Sequence, residues 1–369
     1  MKCVDSKDFE QYKGVCVLAE LRKGELIEAS VELVSEGRVL ANEMGCGLTA
    51  IVLGKDVGKA AKLMAGYGAD KIIACESPLL ENYNTCIYTK AVCHIVEKLR
   101  PDVFLISATT TGRALAPRCA ARLHTGLNAD CTLLHSSKQS YMNYLAENSQ
   151  LNLNEVEGMV DERGLKMTMP AFGGSLMATI ICPQYRPQMA TVRPGVMSAG
   201  KFDRAKANNA LVEYVDCGLC EDDIRSTIAE IIANTGETVD LTKAEVIVAV
   251  GRGIFANPEK GIALANELAE LLGGNVGATR EVVSAGLMDE SLMIGQTGKI
   301  VRPKLYVALG VSGAIQHVGG MKDSDFVIAV NKDKNAPVFE IADYGLPGDL
   351  FEIVPQLIAQ IKKAKELSA

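Results

Sequence analysis

Short apolar, β-branched runs alternate along this chain with longer stretches of helical period, and that alternation restricts the fold more than any other feature. Val15–Ala19, residues 49–53, residues 71–75 and Val103–Ser107 have strand length, while residues 31–44, 59–64, 88–99 and 113–124 carry helical spacing. Strands alternating with helices make βαβ units, whose parallel strands need right-handed crossovers and form a sheet covered on both faces. The N-terminal half is therefore α/β. The pattern lapses over residues 136–170, which are polar and without period; we expect an inserted loop or flap there, followed by a strand at 176–181 that closes the domain.

A second α/β pattern begins after TVRPGVMSAGKFDRAKANNALVEY, and the small-residue connection at 198–209 is the expected boundary. The predicted domains are residues 1–205 and 206–369, consistent with a length of 369 residues, too long for one ordinary core. Val246–Val250 runs into Gly251-Arg252-Gly253, and residues 259–272 come next with apolar side chains at Ile262, Ala265, Leu268 and Leu272. Further strands are predicted at Leu305–Leu309 and residues 326–330, with a C-terminal helix from near Gly348.

Composition removes several classes of function. The 38 Lys+Arg against 45 Asp+Glu give a net charge of −7, with no basic stripe for a phosphate backbone, so nucleic acid is not an expected partner. No apolar run reaches the roughly 18 residues of a spanning helix, and MKCVDSKDFEQYKG has no apolar export segment, so direct membrane insertion is not expected and a cytoplasmic location is. Eleven scattered cysteines do not resemble a compact disulfide framework and are expected as reduced thiols. With 34 glycines and no tryptophan, close backbone approach to a nucleotide cofactor is better supplied than stacking on bases.

Several local patterns carry chemistry. The Gly251-Arg252-Gly253 turn resembles part of a dinucleotide fingerprint, but no carboxylate stands at the spacing that would take a ribose hydroxyl, and a plain tight turn fits equally. Thr109-Thr110-Thr111-Gly112-Arg113 is either an anion-binding helix start or an ordinary cap. Cys217-Gly218-Leu219-Cys220 lacks a second ligand pair, His94, His124 and His135 are widely separated, and Gly173-Gly174-Ser175 has no base nearby, so neither a zinc site nor a nucleophilic triad is expected. By contrast Val311 to His317 gathers Ser312, Gly313, Gln316 and His317 just beyond an apolar strand, where open α/β sheets bind ligands. Arg280 comes after Gly277-Ala278-Thr279 in the same manner.

Two sets of blocks together resemble the α subunit of electron transfer flavoproteins over nearly the whole chain. TTTGRALAPRCAARLHTGLNADC is similar to the N-terminal domain of that family; VGATREVVSAGL, IGQTGKIVRPKLYVALGVSGAIQHVGGMKDSD, VIAVNKD and IADYGLPGDLF are similar to its Rossmann-like FAD-binding domain. The resemblance implies that FAD is held noncovalently. It places Arg252, Thr279 and Arg280 at the FAD, Gly295, Gln296 and Thr297 near flavin N5, and Ser312, Gly313, Ala314, Ile315 and Gln316 around the ribityl chain and pyrophosphate. It also places His317 near N1 and the C2 carbonyl, with Asn331 and Asp349 on the adenosine side. It implies a heterodimer with an electron transfer flavoprotein β subunit, which the N-terminal domain contacts. Acyl-CoA dehydrogenase would be a partner, with a quinone oxidoreductase or, in a bifurcating complex, NADH and ferredoxin. The polar segment 138–158 is longer than the family pattern, and the cysteine spacing of a ferredoxin-type extension is absent. A nicotinamide-dependent dehydrogenase built on the Gly251 turn and a non-redox nucleotide-binding scaffold are the competing readings.

Reduction adds negative charge to a flavin, and protein charge beside the ring sets which oxidation state is favoured. Arg280 cannot lose its proton, so its guanidinium should favour the reduced form. Arg280→Ala is expected to lower the first flavin reduction potential in a redox titration; an unchanged potential would remove Arg280 from that role.

Overall fold

A parallel strand buried on both faces must be apolar along its length, and the computed structural model builds two sheets of that kind. It describes residues 6–160, 164–171, 176–226 and 240–368, in two compact units that divide between Ser226 and Asp240. In the first unit β1 (Val15–Ala19) is followed by a small hairpin, β2 (Leu21–Arg22) and β3 (Glu25–Leu26), then α1 (Glu28–Glu43), β4 (Leu48–Gly54), α2 (Gly58–Gly66) and β5 (Lys71–Glu76). α3 (Thr85–Leu99), β6 (Val103–Ser107), α4 (Thr110–Leu123) and β7 (Leu127–Cys131) come next. β8 (Leu133–His135), α5 (Lys138–Asn148), α6 (Leu153–Glu157), β9 (Lys166–Ala171) and β10 (Leu176–Ile180) then precede β11 (Gln188–Val192), α7 (Arg204–Asn208) and β12 (Leu211–Tyr214). The main sheet has the order β12-β5-β4-β1-β6-β11-β7, and its strand pairs are parallel. Because the order reverses at β1, a crevice opens beside the carboxyl ends of β1 and β6.

One face of this sheet packs Val17, Ala50, Val52 and Leu105 against Leu33, Leu40 and Met64 of α1 and α2. The other packs Ile51, Phe104 and Ile106 against Val92, Val96 and Leu115 of α3 and α4. Asn84 caps α3 by accepting from the amides of Cys86 and Ile87 at 3.0 and 3.3 Å. Gly112 lets α4 start directly over the end of β6: a Cβ there would lie 1.8 Å from the Ser107 carbonyl oxygen.

In the second unit β13 (Val246–Val250), α8 (Pro258–Leu272), β14 (Asn275–Ala278), α9 (Arg280–Ser284) and β15 (Leu305–Leu309) are followed by α10 (Ile315–Val318), β16 (Val327–Asn331), α11 (Val338–Ile341), β17 (Tyr344–Pro347) and α12 (Leu350–Ser368). Its sheet, ordered β14-β13-β15-β16-β17, is parallel throughout. Val248, Val250 and Leu309 meet Leu268 of α8 and Val354 and Ile358 of α12 on one face; Ile247, Ala249 and Tyr306 pack with Val301, Met321 and Val338 on the other. Among the described residues no helix is long and apolar enough to cross a membrane.

Four expectations change. The segment 138–158 is not a loop: α5 and α6 lie in it, with Tyr141 and Leu145, four residues apart, as the buried side of α5. The strand at 176–180 does not close the main sheet; it joins β8 and β9 in a separate three-stranded sheet, and β11, unseen in the sequence, takes the interior position between β6 and β7. The boundary expected at 205/206 falls inside the first unit, because β12 pairs with β5 from Leu211 to Tyr214. Finally, Cys75 of β5 and Cys217, 142 residues apart, are joined as a disulfide rather than held as two thiols. Gly173-Gly174-Ser175 lies outside the described residues.

The small sheet rests on α1 through Glu43, whose carboxylate accepts from the Ser136 hydroxyl at 2.6 Å and the Ser140 hydroxyl at 3.3 Å. Two turns earlier on α1, burial and then the charge of Glu43 push the Glu36 carboxyl up from its ordinary 4.5 to about 7. A raised folded-state value stabilises the fold below pH 4.5, and that contribution is lost as pH rises through about 7. Glu36→Gln is therefore expected to gain roughly 2 kcal/mol over the parent between pH 4.5 and 8 in denaturant titrations; parallel stability curves for the two proteins would contradict it.

Candidate functional site

The carboxyl ends of the five strands of the second sheet converge on the residues singled out from the sequence. Arg252 stands two positions beyond β13, Thr279 and Arg280 directly beyond β14, Ser312 three beyond β15, Asn331 at the end of β16 and Asp349 two beyond β17. Four of them, Arg252, Ser312, Asn331 and Asp349, line one cavity of about 360 Å³, together with Gly253, Gly310 and Lys332. The sequence reading missed Lys332, a cation next to Asn331 in the same loop.

Backbone contact draws these loops together. A Cβ on Gly251 would lie 2.5 Å from the Gly310 carbonyl oxygen and one on Gly313, at φ +87°, 2.2 Å from the Val338 amide nitrogen. The amides of Gly251 and Gly253 donate to Leu309 and Gly310 at 2.9 and 3.0 Å. They are used within the domain, and α8 begins only at Pro258, with Asn257 accepting from the Lys260 amide at 3.1 Å. The Gly251-Arg252-Gly253 turn is thus a loop-packing device, not a phosphate cradle at a helix start. Asn331 likewise donates to the Val311 carbonyl at 2.8 Å and accepts from the Asp333 amide at 2.9 Å, and Asp349 accepts from the Phe351 amide at 2.9 Å at the start of α12.

A second group of expected residues lies outside that cavity. Ile294 donates its amide to Ala278 at 2.9 Å, which brings the 295–297 turn beside β14, and the Gln296 amide donates to Gln316 at 2.7 Å. Gln296, Thr297, Ala314, Ile315 and Gln316 are exposed, whereas His317 is buried. Its Nε2 lies 2.9 Å from the Tyr306 hydroxyl and its Nδ1 3.0 Å from the Ile294 carbonyl oxygen, so both ring nitrogens are engaged within the domain. Burial holds the pKa of His317 below the ordinary histidine value. No sequence signal marks Tyr306, which reads as one more apolar residue of a buried strand.

The residues present fit a dinucleotide flavin. Thr279 is 5% exposed and its hydroxyl has no partner among the described residues, an orphaned buried polar atom at the end of β14. Among the described residues no hydrogen bond closes from the backbone amides of Gly313, Ala314, Ile315 or Gln316, a run of donors suited to an anion. Arg252 and Arg280 are exposed and form no ion pair among the described residues. Two fixed cations, consecutive free amides and an unsatisfied hydroxyl match the phosphates and polar ring edges of FAD.

The first unit has its own cavity, about 560 Å³, at the carboxyl ends of β1, β4 and β6. Side chains of the chain itself already accept from the starts of α4 and α2. Thr109 accepts from the Gly112 amide at 3.0 Å and donates to Glu20, while Glu76 accepts from the Val57 amide at 2.9 Å at the start of α2. Of the two readings of residues 109–113, the structure selects the cap.

Comparison with known proteins agrees with this division. Residues 15–216 match the family described as the electron transfer flavoprotein domain, and residues 240–322 the electron transfer flavoprotein FAD-binding domain. Asn331 and Asp349 lie beyond the second match. The chain is 49% identical to the acryloyl-CoA reductase electron transfer subunit beta of Anaerotignum propionicum, over 98% of this chain and 99% of that one. It is 42% identical to an electron transfer flavoprotein subunit alpha of Clostridium acetobutylicum, over 96% and 98%. With the lactate dehydrogenase (NAD(+),ferredoxin) subunit LctC of Acetobacterium woodii the identity is 36%, over 96% of this chain and 78% of the other.

The orphaned hydroxyl supplies a test. Thr279→Val keeps the side-chain shape and removes the unsatisfied group, so the FAD-free protein should be no less stable in denaturant while FAD binding weakens about tenfold in equilibrium dialysis. Unchanged affinity would take Thr279 out of the site.

Proposed function

The chain belongs to the electron transfer flavoprotein family, as an α-type subunit carrying the FAD-binding domain, and from that premise we propose that it holds one FAD at the strand ends of its second unit and relays electrons between two protein partners. The observation that carries the placement of FAD is the buried Thr279 hydroxyl, without a partner among the described residues, followed in sequence by the exposed Arg280. FAD, when bound, supplies the redox chemistry. The protein's part is to hold and bias it: Arg252 and the amides of Gly313 to Gln316 neutralise and orient phosphates, Ser312, Asn331 and Asp349 shape the cavity that receives the adenosine side, and Arg280 offers fixed positive charge to the ring. Gln296 and Thr297, exposed on their turn, are free to donate to its polar edge.

On this reading the chain is an electron carrier rather than a stand-alone catalyst, cytoplasmic, and paired with a β subunit that the first unit contacts. The electron donor is a flavin-dependent dehydrogenase of the acyl-CoA type, and the acceptor a quinone oxidoreductase. The relative from A. propionicum, named for acryloyl-CoA reductase, supports an acyl-CoA partner. The relative from A. woodii, named for NAD(+) and ferredoxin, supports a second version, in which the complex bifurcates electrons with NADH and ferredoxin. A nicotinamide-dependent dehydrogenase is disfavoured by the Gly251 and Gly253 amides, which are already bonded within the domain.

The test is an absorbance spectrum of the chain purified with its co-expressed β partner, combined with release and counting of flavin. One FAD per heterodimer is the expected result for a simple carrier. Two would select bifurcation and make NADH with ferredoxin the next assay, and a folded complex with none would overturn the flavoprotein reading.

A further inference from the structure

The strand pairing of β12 ends at Tyr214, and the residues beyond it are the last described stretch of the first unit before the connection to the second. That stretch is fastened to β5 and α3 at a few points. Cys217, 3% exposed, is joined to the fully buried Cys75 of β5. Asp223 accepts from Lys90 of α3 at 2.6 Å, and Asn84, the cap of α3, donates to the Ser226 carbonyl at 3.1 Å. Of these fastenings only the disulfide is covalent.

A third sulfur stands next to it in sequence. Cys220 is a free, exposed thiol, separated from Cys217 by Gly218 and Leu219. Its S–H and its amide both donate to Asp223, at 3.3 and 2.8 Å, and the Lys90 ammonium lies against the same carboxylate. Gly218, at φ +63°, turns the chain between the two cysteines, and a Cβ on it would stand 3.6 Å from the His94 ring. An exposed thiol in a Cys-x-x-Cys pair is the form in which cysteines exchange disulfides.

We infer that Cys217-Gly218-Leu219-Cys220 is a thiol–disulfide exchange site, in which Cys220 displaces Cys75 from Cys217 and releases the end of the first unit from β5. The Cys220 sulfur attacks that of Cys217, the Cys217–Cys220 bond forms, the Cys75–Cys217 bond breaks with its electron pair on Cys75, and the proton lost by Cys220 ends on Cys75. One thiol and one disulfide stand on each side, so no oxidant or reductant is consumed. The first link spans 142 residues and pins the segment to the sheet; the second pins the segment only to itself. The exchange needs no FAD.

The experiment maps disulfides in the full-length chain in complex with its β partner. Samples are held without added thiol at about pH 8, where thiolate, the attacking form, is abundant; they are then alkylated with N-ethylmaleimide at about pH 5 before unfolding, and digested for mass spectrometry. The expected starting state is a Cys75–Cys217 linked peptide with Cys220 alkylated. With time a Cys217–Cys220 peptide should appear, and amide hydrogen exchange over 215–226 should quicken about tenfold in the exchanged form. In Cys220→Ser, a change at an exposed position, the Cys75–Cys217 link should persist. Cys75 and Cys217 found as thiols at the outset, a wild-type complex that never forms the Cys217–Cys220 peptide, or an exchanged form with unaltered amide protection would overturn the inference.

Discussion

A strand that is buried on both faces and paired on parallel neighbours cannot return along its own edge; the chain must cross over through a helix and re-enter at the same end each time. In the second unit that requirement places the exits of five strands side by side, and Arg252, Thr279, Ser312, Asn331 and Asp349 stand at or just beyond them. Residues spread over about a hundred positions of sequence are thereby neighbours before any side chain interaction is considered. Apolar burial of Ile247, Val248, Ala249 and Val250, each fully enclosed, is what holds the exits in register.

Glycine decides how near the loops at those exits can come. Gly251, Gly253 and Gly310 touch through backbone atoms, and Gly295 touches Gly320 in the same way. The first cluster joins the loops after β13 and β15; the second joins the turn after Ile294 to the end of α10. Side chains then finish the assembly: Asn331 bonds across to Val311, and His317 bonds across to Ile294. These contacts hold loop to loop, and among the described residues the Thr279 hydroxyl and the amides from Gly313 to Gln316 take no part in them.

Continuous apolar runs were legible because burial on both sides leaves no polar position to interrupt them: Val15–Ala19, Val103–Ser107, Val246–Val250 and Leu305–Leu309 have the same ends in sequence and structure. β11 was not, since Gln188 and Thr191 break its run. Both are buried by bonding internally, Gln188 accepting from the Leu165 amide at 2.8 Å and Thr191 from the Asp130 amide at 2.9 Å. α5 was hidden for the opposite reason, a face of only two buried residues. The strand-end placement of the candidate residues was visible in the polar and glycine residues just past the predicted strands, but the engagement of both His317 nitrogens was not, because Tyr306 and Ile294 are ordinary core residues by type. The pairing of Cys75 with Cys217 depends on β12 adding to β5, which no local pattern announces.

The carboxylates at the helix starts of the first unit bear on how one ligand is sorted between two similar places. Both units offer a crevice beyond parallel strand ends, which by architecture alone are equivalent addresses for a phosphate-bearing molecule. In the first, Thr109 takes the Gly112 amide and is itself held by Glu20, and Glu76 takes the Val57 amide at the start of α2, so these donors are engaged by the chain itself. In the second the amides from Gly313 to Gln316 and the guanidiniums of Arg252 and Arg280 carry no such internal partner among the described residues. The two crevices thus differ in whether the donors at their helix starts are already engaged by the chain, a difference of occupancy rather than of shape.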